Sequence, residues 1–464
     1  MSDKYLIRRP MAQEPSYDPK FIAEGLGSLL LGFLRPLLLE LDRSLDKRLI
    51  RTLVRAVEAI LTFRDQIHGL LLTELGAYLD PLGQGGGGTK RLSRLLHSEK
   101  WQAVLIEHFL FRRCDQQIEG WHEQGQEGLV LWDGSVWEKP ESLASEGLCA
   151  VLSSKAKRLT HVQPGYFNPP GKPICVPGLH WISLVLVGRL TTQGPAMVAC
   201  MRWWTSRGVW ASWVRDEGLK LLRHAMQRWG SRVMHVFDRG YASSRWLGAL
   251  RGFATRFTLR WKHQYHLRDA HGQQKAAWKI AQGKRAWECR QLRDAVRGTC
   301  FTASVLAFPV SHPDHLEWPL WLVVARRSNG KPWYLLTSEP VESAAQAWAI
   351  VFAYVRRWQI ELVFKHCKSD LSFHASSRVG LARASQAVRS GHPGLCLLAA
   401  PALGAVRTRA TLALPLRLSP HRNPCAARPC PVGPLAKRAQ QTLVGSSSRL
   451  FASGSHATLV DPLV

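Results

Sequence analysis

The chain has 464 residues, 46% of them hydrophobic and 19 of them tryptophan, with a formal net charge of +28 and a pI near 10.3. That composition excludes a disordered chain and provides enough material for two or three domains with a sizeable core. The positive excess calls for a polyanionic partner, and nucleic acid is favoured over a membrane surface.

Met1 to Pro10 is charged and lacks the apolar core of a signal peptide. Leu29 to Leu39 is apolar but broken by Arg35-Pro36, well short of the roughly 20 residues a spanning helix needs. A soluble, cytoplasmic, nucleoid-associated protein is expected. Ten scattered cysteines without any C-x2-C pair read as reduced thiols and make zinc improbable. His263 with His266, and His312 with His315, read as structural or solvent-exposed histidines.

Residues 18–80 read as helical. Ile50, Leu53, Val54, Val57, Ile60 and Leu61 follow helical spacing, with Arg51, Arg55 and Glu58 outside it. The run Gly83 to Gly88 reads as a flexible connector. It is no phosphate loop, because the order of Gly88-Thr89-Lys90 is wrong and no buried strand precedes it. Thr89 to Cys114 reads as one helix bearing Lys90, Arg91, Arg94 and Lys100. Two readings stand for it: a basic helix against a DNA backbone, or a solvated face on a packed helix.

From residue 128 the pattern turns to strands. They are expected near 129–134, 181–188, 197–203, 233–237 and 256–261, with helices near 212–229 and 243–251. This is an α/β pattern in the order of a ribonuclease-H-like mixed sheet with flanking helices. The strand candidates 300–308, 318–326 and 332–338 follow.

Two aspartates stand at strand-to-turn junctions in this reading. Asp133 closes the apolar run Leu129 to Trp132 before Gly134-Ser135, and Asp238 closes Val233 to Phe237 before Arg239-Gly240-Tyr241. Either alone reads as a turn or cap residue; ligands and metals in open sheets gather at strand ends. Downstream, Tyr354, Arg357, Glu361 and Lys368 have the spacing Y-x2-R-x3-E-x6-K. On a helix these four fall within roughly 60° of one another. A solvated face with i,i+4 charge pairs is the plain alternative.

Asp133, the DRGY at 238–241 and the spacing at 354–368 together resemble the DDE transposases of bacterial insertion sequences, in the Y-R-E-K subgroup of insertion-sequence-four type. The stretches 138–159, 176–181, 202–208 and 260–267 also look like this family, so the resemblance covers roughly residues 20–373. It implies metal-dependent DNA cleavage at element ends and strand transfer into target DNA, within a paired-end homodimer and through a DNA hairpin. It implies a helical DNA-binding region at 1–120 and a first part of the catalytic core at 121–260. A β-rich insertion at 261–340 and a catalytic helix at 341–373 follow. The insertion's Trp318, Trp321 and Trp333 would assist hairpin formation.

Phosphodiester chemistry needs an aligned nucleophile and counter-charge for a pentavalent transition state, which two divalent ions supply. Hard carboxylate oxygens suit Mg2+ or Mn2+, so Asp133, Asp238 and Glu361 are the expected catalytic residues and metal ligands. Arg357 and Lys368 would grip phosphates, and Tyr354 would hydrogen-bond one. Trp358 stacks a base or packs in the core, Lys365 contacts DNA nonspecifically, and Arg239 and Tyr241 position Asp238 or the strand. Two rivals remain: a ribonuclease-H-like nuclease without strand transfer, and an inactive DNA-binding remnant or inhibitor.

Residues 374–464 differ in kind. They hold no tryptophan or tyrosine, and eleven Lys and Arg oppose the single acid Asp461. Three readings fit: a disordered basic arm on DNA, a divergent dimerisation or regulatory tail, and out-of-frame translation of GC-rich DNA.

Overall fold

The computed structural model describes residues 19–62, 72–79, 86–98, 100, 103–138, 147–153, 175–190, 194–208, 211–293, 300–328 and 330–370. The tail beyond Asp370 and most of 138–159 therefore lie outside the described residues.

Five helices come first: α1 (Pro19–Leu41), α2 (Lys47–Thr62), α3 (Leu72–Leu79), α4 (Gly86–Leu96) and α5 (Ala103–Glu123). The α2 periodicity holds, with Leu53, Val54, Val57 and Ile60 buried. Two expectations are corrected. Gly86 to Gly88 is no connector but the first turn of α4. A methyl on Gly88 would collide with the Gly76 carbonyl, and one on Gly76 with the Thr89 backbone. The glycines are thus a close helix crossing, which only the absence of Cβ permits. The expected single helix 89–114 is split, α4 ending at Leu96 and α5 starting at Ala103. Arg91 donates to the Leu79 carbonyl (2.8 Å) at the end of α3, while Lys90, Arg94 and Lys100 are exposed. Gly88→Ala should lower stability by about 1–3 kcal/mol through overpacking. Gly86→Ala, with open space around it, should not; urea midpoints check the pair.

The sheet begins with β1 (Gly128–Glu138), β2 (Cys149–Leu152), β3 (Cys175–Gly188) and β4 (Met197–Trp204). It continues through α6 (Val214–Trp229), β5 (Val233–Phe237), α7 (Ser244–Gly252) and β6 (Phe257–Arg260). Strand β3 runs antiparallel to β1 and to β4, whereas β5 and β6 run parallel to β1 and to each other. The order β4-β3-β1-β5-β6 is the ribonuclease-H-like arrangement, as expected. Most strand and helix positions fall within a few residues of the sequence reading, and β5 coincides with it, but β3 starts earlier than expected, at Cys175.

One junction differs. Asp133-Gly134-Ser135 is not a turn: β1 continues to Glu138 because β3 pairs with it up to Glu138↔Gly178. What ends beside Asp133 is the parallel ladder with β5, at Trp132↔Phe237.

The downstream strands are β7 (His266–Arg268), β8 (Gln274–Ala276), β9 (Glu288–Arg293), β10 (Cys300–His312), β11 (His315–Arg327) and β12 (Gly330–Thr337), with a short α8 (Ala277–Ala281). Strand β12 pairs with β6, and β11 and β10 follow, so all twelve strands share one sheet. Two helices close the described chain, α9 (Ala344–Arg356) and α10 (Trp358–Lys365), followed by a π-turn over His366–Asp370.

Alternation along the strands sorts the layers. Val130, Trp132, Val233 and Phe237 face α6 and α7 (Leu221, Leu222, Leu247, Leu250). Leu129, Leu131, Met234 and Val236 face α9 and α10 (Trp348, Val351, Ile360). By the same period, Asp133 and Asp238 point to the α9–α10 side. No helix among the described residues is long and apolar enough to cross a membrane.

Candidate active site

Because Trp132 and Phe237 are register partners on parallel strands, the next residues, Asp133 and Asp238, emerge side by side where that ladder stops. Asp133 accepts from the Gly134 backbone N–H (2.8 Å). Asp238 caps the 3-10 turn Arg239–Tyr241, accepting from Gly240 N–H (2.7 Å). Its capping role and its place at the strand end are the same geometry, so the two sequence readings do not compete.

Above them, α9 opens on a capping box formed by Ser343 and Gln346, and stops at Arg356. Arg357 is the joint before α10, with dihedrals still helical (φ −51°, ψ −31°). Tyr354, Arg357, Glu361 and Lys368 therefore sit on a jointed rod with a π-turn at its end, not on one straight helix. Ile360 and Phe364 are buried, which seats α10 on the sheet.

Arg357 is the centre of the cluster. Its Nη1 donates to Asp133 Oδ2 (3.2 Å) and its Nη2 to Glu361 Oε1 (2.6 Å), with the arginine side chain 13% exposed. Burial raises the Asp133 carboxyl to about 6; Arg357 opposes the shift, while Asp238 and Glu361 add to it. Asp133 thus feels the charge of both other carboxylates, while the Arg357 guanidinium bridges it to Glu361. Among the described residues no three His, Cys, Asp or Glu side chains form a ready-made metal cluster.

Lys368 donates to Ser135 Oγ (2.5 Å), and its ammonium lies 5.4 Å from the Trp181 ring centroid. Tyr354 is buried, its ring 5.3 Å from that of Trp333 and its phenol pushed up by burial. Arg260 and Arg327 lie 5.8 Å and 4.9 Å over the Trp333 ring. Trp318 packs on Phe257, and Trp321 joins the core partly buried. Tyr241 lies under the two aspartates, its phenol raised by burial and then by Asp133 and Asp238. Trp358 is 55% exposed, so core packing is not its role. Lys365 and Arg239 are both exposed.

The structure therefore brings Asp133, Asp238, Arg357, Glu361, Lys368 and Tyr241 together. Tyr354 touches the cluster through its ring, 5.9 Å from the Arg357 guanidinium carbon. Three residues escaped the sequence reading: Ser135, hidden by its apparent turn; Arg260, remote in sequence; and Arg356, which lies off the stripe.

Residues 216–390 match the family model described as a transposase DDE domain. The matched span includes Asp238 and the whole 354–368 run but not Asp133. The match spans less than half of the chain; members of that family generally use divalent metal ions. The chain is also similar to the cryo-EM structure of a piggyBac transposase synaptic complex with hairpin DNA. That likeness has a TM-score of 0.40 at 11% identity, over 95% of this chain and 83% of the other. No curated protein matches the chain.

Proposed function

We propose that the protein is a transposase of a bacterial insertion sequence, of the Y-R-E-K subgroup. On this reading it cuts DNA at the element's ends and joins the freed 3′ ends to target DNA as a homodimer. The observation that carries the reading is the emergence of Asp133 and Asp238 at the end of one parallel ladder, with Glu361 tied to Asp133 through Arg357.

The donor set fits a hard divalent cation. Asp133, Asp238 and Glu361 offer only carboxylate oxygens, and their mutual repulsion at Asp133 is what a cation relieves. The guanidinium already stands there as the counter-charge. Mg2+ or Mn2+, two ions in the expected site, would supply activation of the attacking oxygen and charge stabilisation at the leaving oxygen. The chain's own residues hold and orient the rest. Arg357 has a fork that matches a phosphate as well as two carboxylates, so a DNA phosphate can draw it off Asp133 and Glu361. Lys368 is kept at the edge of the site by Ser135. Trp358 offers an exposed ring on which a base can stack, worth about 1–3 kcal/mol.

The decisive experiment incubates the full chain with duplexes carrying its element ends, then with precleaved ends and target DNA, in Mn2+. Nicks at the ends followed by joined products support the proposal. Nicks without joined products leave a nuclease, and binding without nicks leaves a remnant.

Phosphate gripping has its own test. Arg357→Ala and Lys368→Ala should each flatten the log–log salt dependence of end binding by about one. Circular dichroism must remain unchanged. An unaltered slope would leave these cations a purely intramolecular role.

A further inference from the structure

Arg356, the residue before the site's central arginine, belongs to no motif. It is 9% exposed, among the few buried charged groups of the described chain. Its Nε donates to the Gly188 carbonyl (3.1 Å) and its Nη2 to the Leu190 carbonyl (3.4 Å). Burial pulls its pKa below the ordinary arginine value, and among the described residues no carboxylate offsets that effect. A buried guanidinium bound only to backbone is costly to keep, so the position calls for a reason.

The strand register supplies one. Gly188 is the partner of Gly128, at the start of β1, whereas Arg357 reaches Asp133 five residues further along the same strand. Five strand residues span about 17 Å. Two consecutive arginines at the helix joint therefore reach in opposite directions along β1 and β3. One grips the far end of β3, and the other grips the carboxylates.

We propose that Arg356 is a positioning residue: it fixes the height of the α9–α10 joint on the sheet and thereby places Arg357 and Glu361 over Asp133 and Asp238. The inference rests on the reading of these carboxylates as a metal-dependent cleavage site. A displacement of 1 Å at such a site costs roughly a hundredfold in rate.

The test compares Arg356→Met and Arg356→Lys with the wild-type full chain. At saturating end duplex, nicking by Arg356→Met should fall roughly a hundredfold. Its half-saturating Mn2+ should rise, and DNA affinity measured in Ca2+ should stay within about twofold, since no phosphate contact is lost. Arg356→Lys, able to reach one of the two carbonyls, should recover part of the rate. Hydrogen exchange at the amides of residues 358–365 should quicken in Arg356→Met while β1 and β5 stay protected. That arm does not depend on activity. Unchanged exchange in α10 together with an unchanged Mn2+ midpoint would overturn the positioning role. Should Arg356→Met fail to fold, the same two readouts on Arg356→Lys decide. A wild-type chain that never nicks, with exchange in α10 still dependent on Arg356, would sink the cleavage reading and leave the tether standing.

Discussion

Asp133→Ala, Asp238→Ala and Glu361→Ala should each abolish Mn2+-dependent nicking while leaving end binding in place. The expected loss exceeds about a thousandfold, since a missing carboxylate removes both a metal ligand and the charge that balances the others. The three need not behave alike in stability. Asp133 is paired with Arg357, and its removal leaves a guanidinium that is 13% exposed with one acid partner instead of two. Asp238 caps the turn before α7, so its alanine variant should also lose a cap worth about 1 kcal/mol. A purified, folded variant that still nicks at wild-type rate would remove that residue from the site.

Acid should weaken the fold through His235. The ring, on β5, is fully buried and accepts the indole N–H of Trp132 on β1 (2.9 Å) at Nδ1. Burial lowers its pKa from 6.5 to about 3, so the folded chain holds it neutral. The unfolded chain takes up the proton first as pH falls below 6.5. Stability is therefore fully present above that value and is lost progressively down to about pH 3. Between pH 7 and pH 5 the contribution amounts to about 2 kcal/mol. His235→Gln, whose Oε1 can still accept from Trp132, should lack this component. Urea unfolding of both proteins at the two pH values measures it. Equal losses in the two would show that His235 does not carry the acid sensitivity.

Much of this architecture was legible from local pattern. Strand β5 is a five-residue run, apolar except for His235 and ended by Asp-Arg-Gly-Tyr, and the structure keeps those limits. At Asp133 the local pattern points to a strand end that the structure moves to Glu138. Gly134-Ser135 has turn chemistry, but pairing with β3 across eleven register positions overrides it. The glycine run before α4 misled in the same way, because glycine marks close packing as readily as flexibility. Side-chain spacing also made one rod of what is jointed at Arg357. Arg356 carries only a faint signal in the sequence. Its helical neighbours at i±3 and i±4 are Phe352, Ala353, Gln359 and Ile360, so it has no acid to pair with on a surface.

The pairing of β12 with β6 carries an architectural cost. The strand that closes residues 261–340, the β-rich insertion of the sequence reading, is hydrogen-bonded to β6, the last strand of the ribonuclease-H-like core, from Thr258 to Arg260. An ancestral or trimmed form without that segment would leave β6 as a bare edge, with unpaired backbone groups inviting strands from other molecules. The segment is thus also a cover, and its loss would expose the protein to aggregation before it altered any chemistry. Selection for solubility alone would retain it, whatever its aromatics contribute at a DNA end.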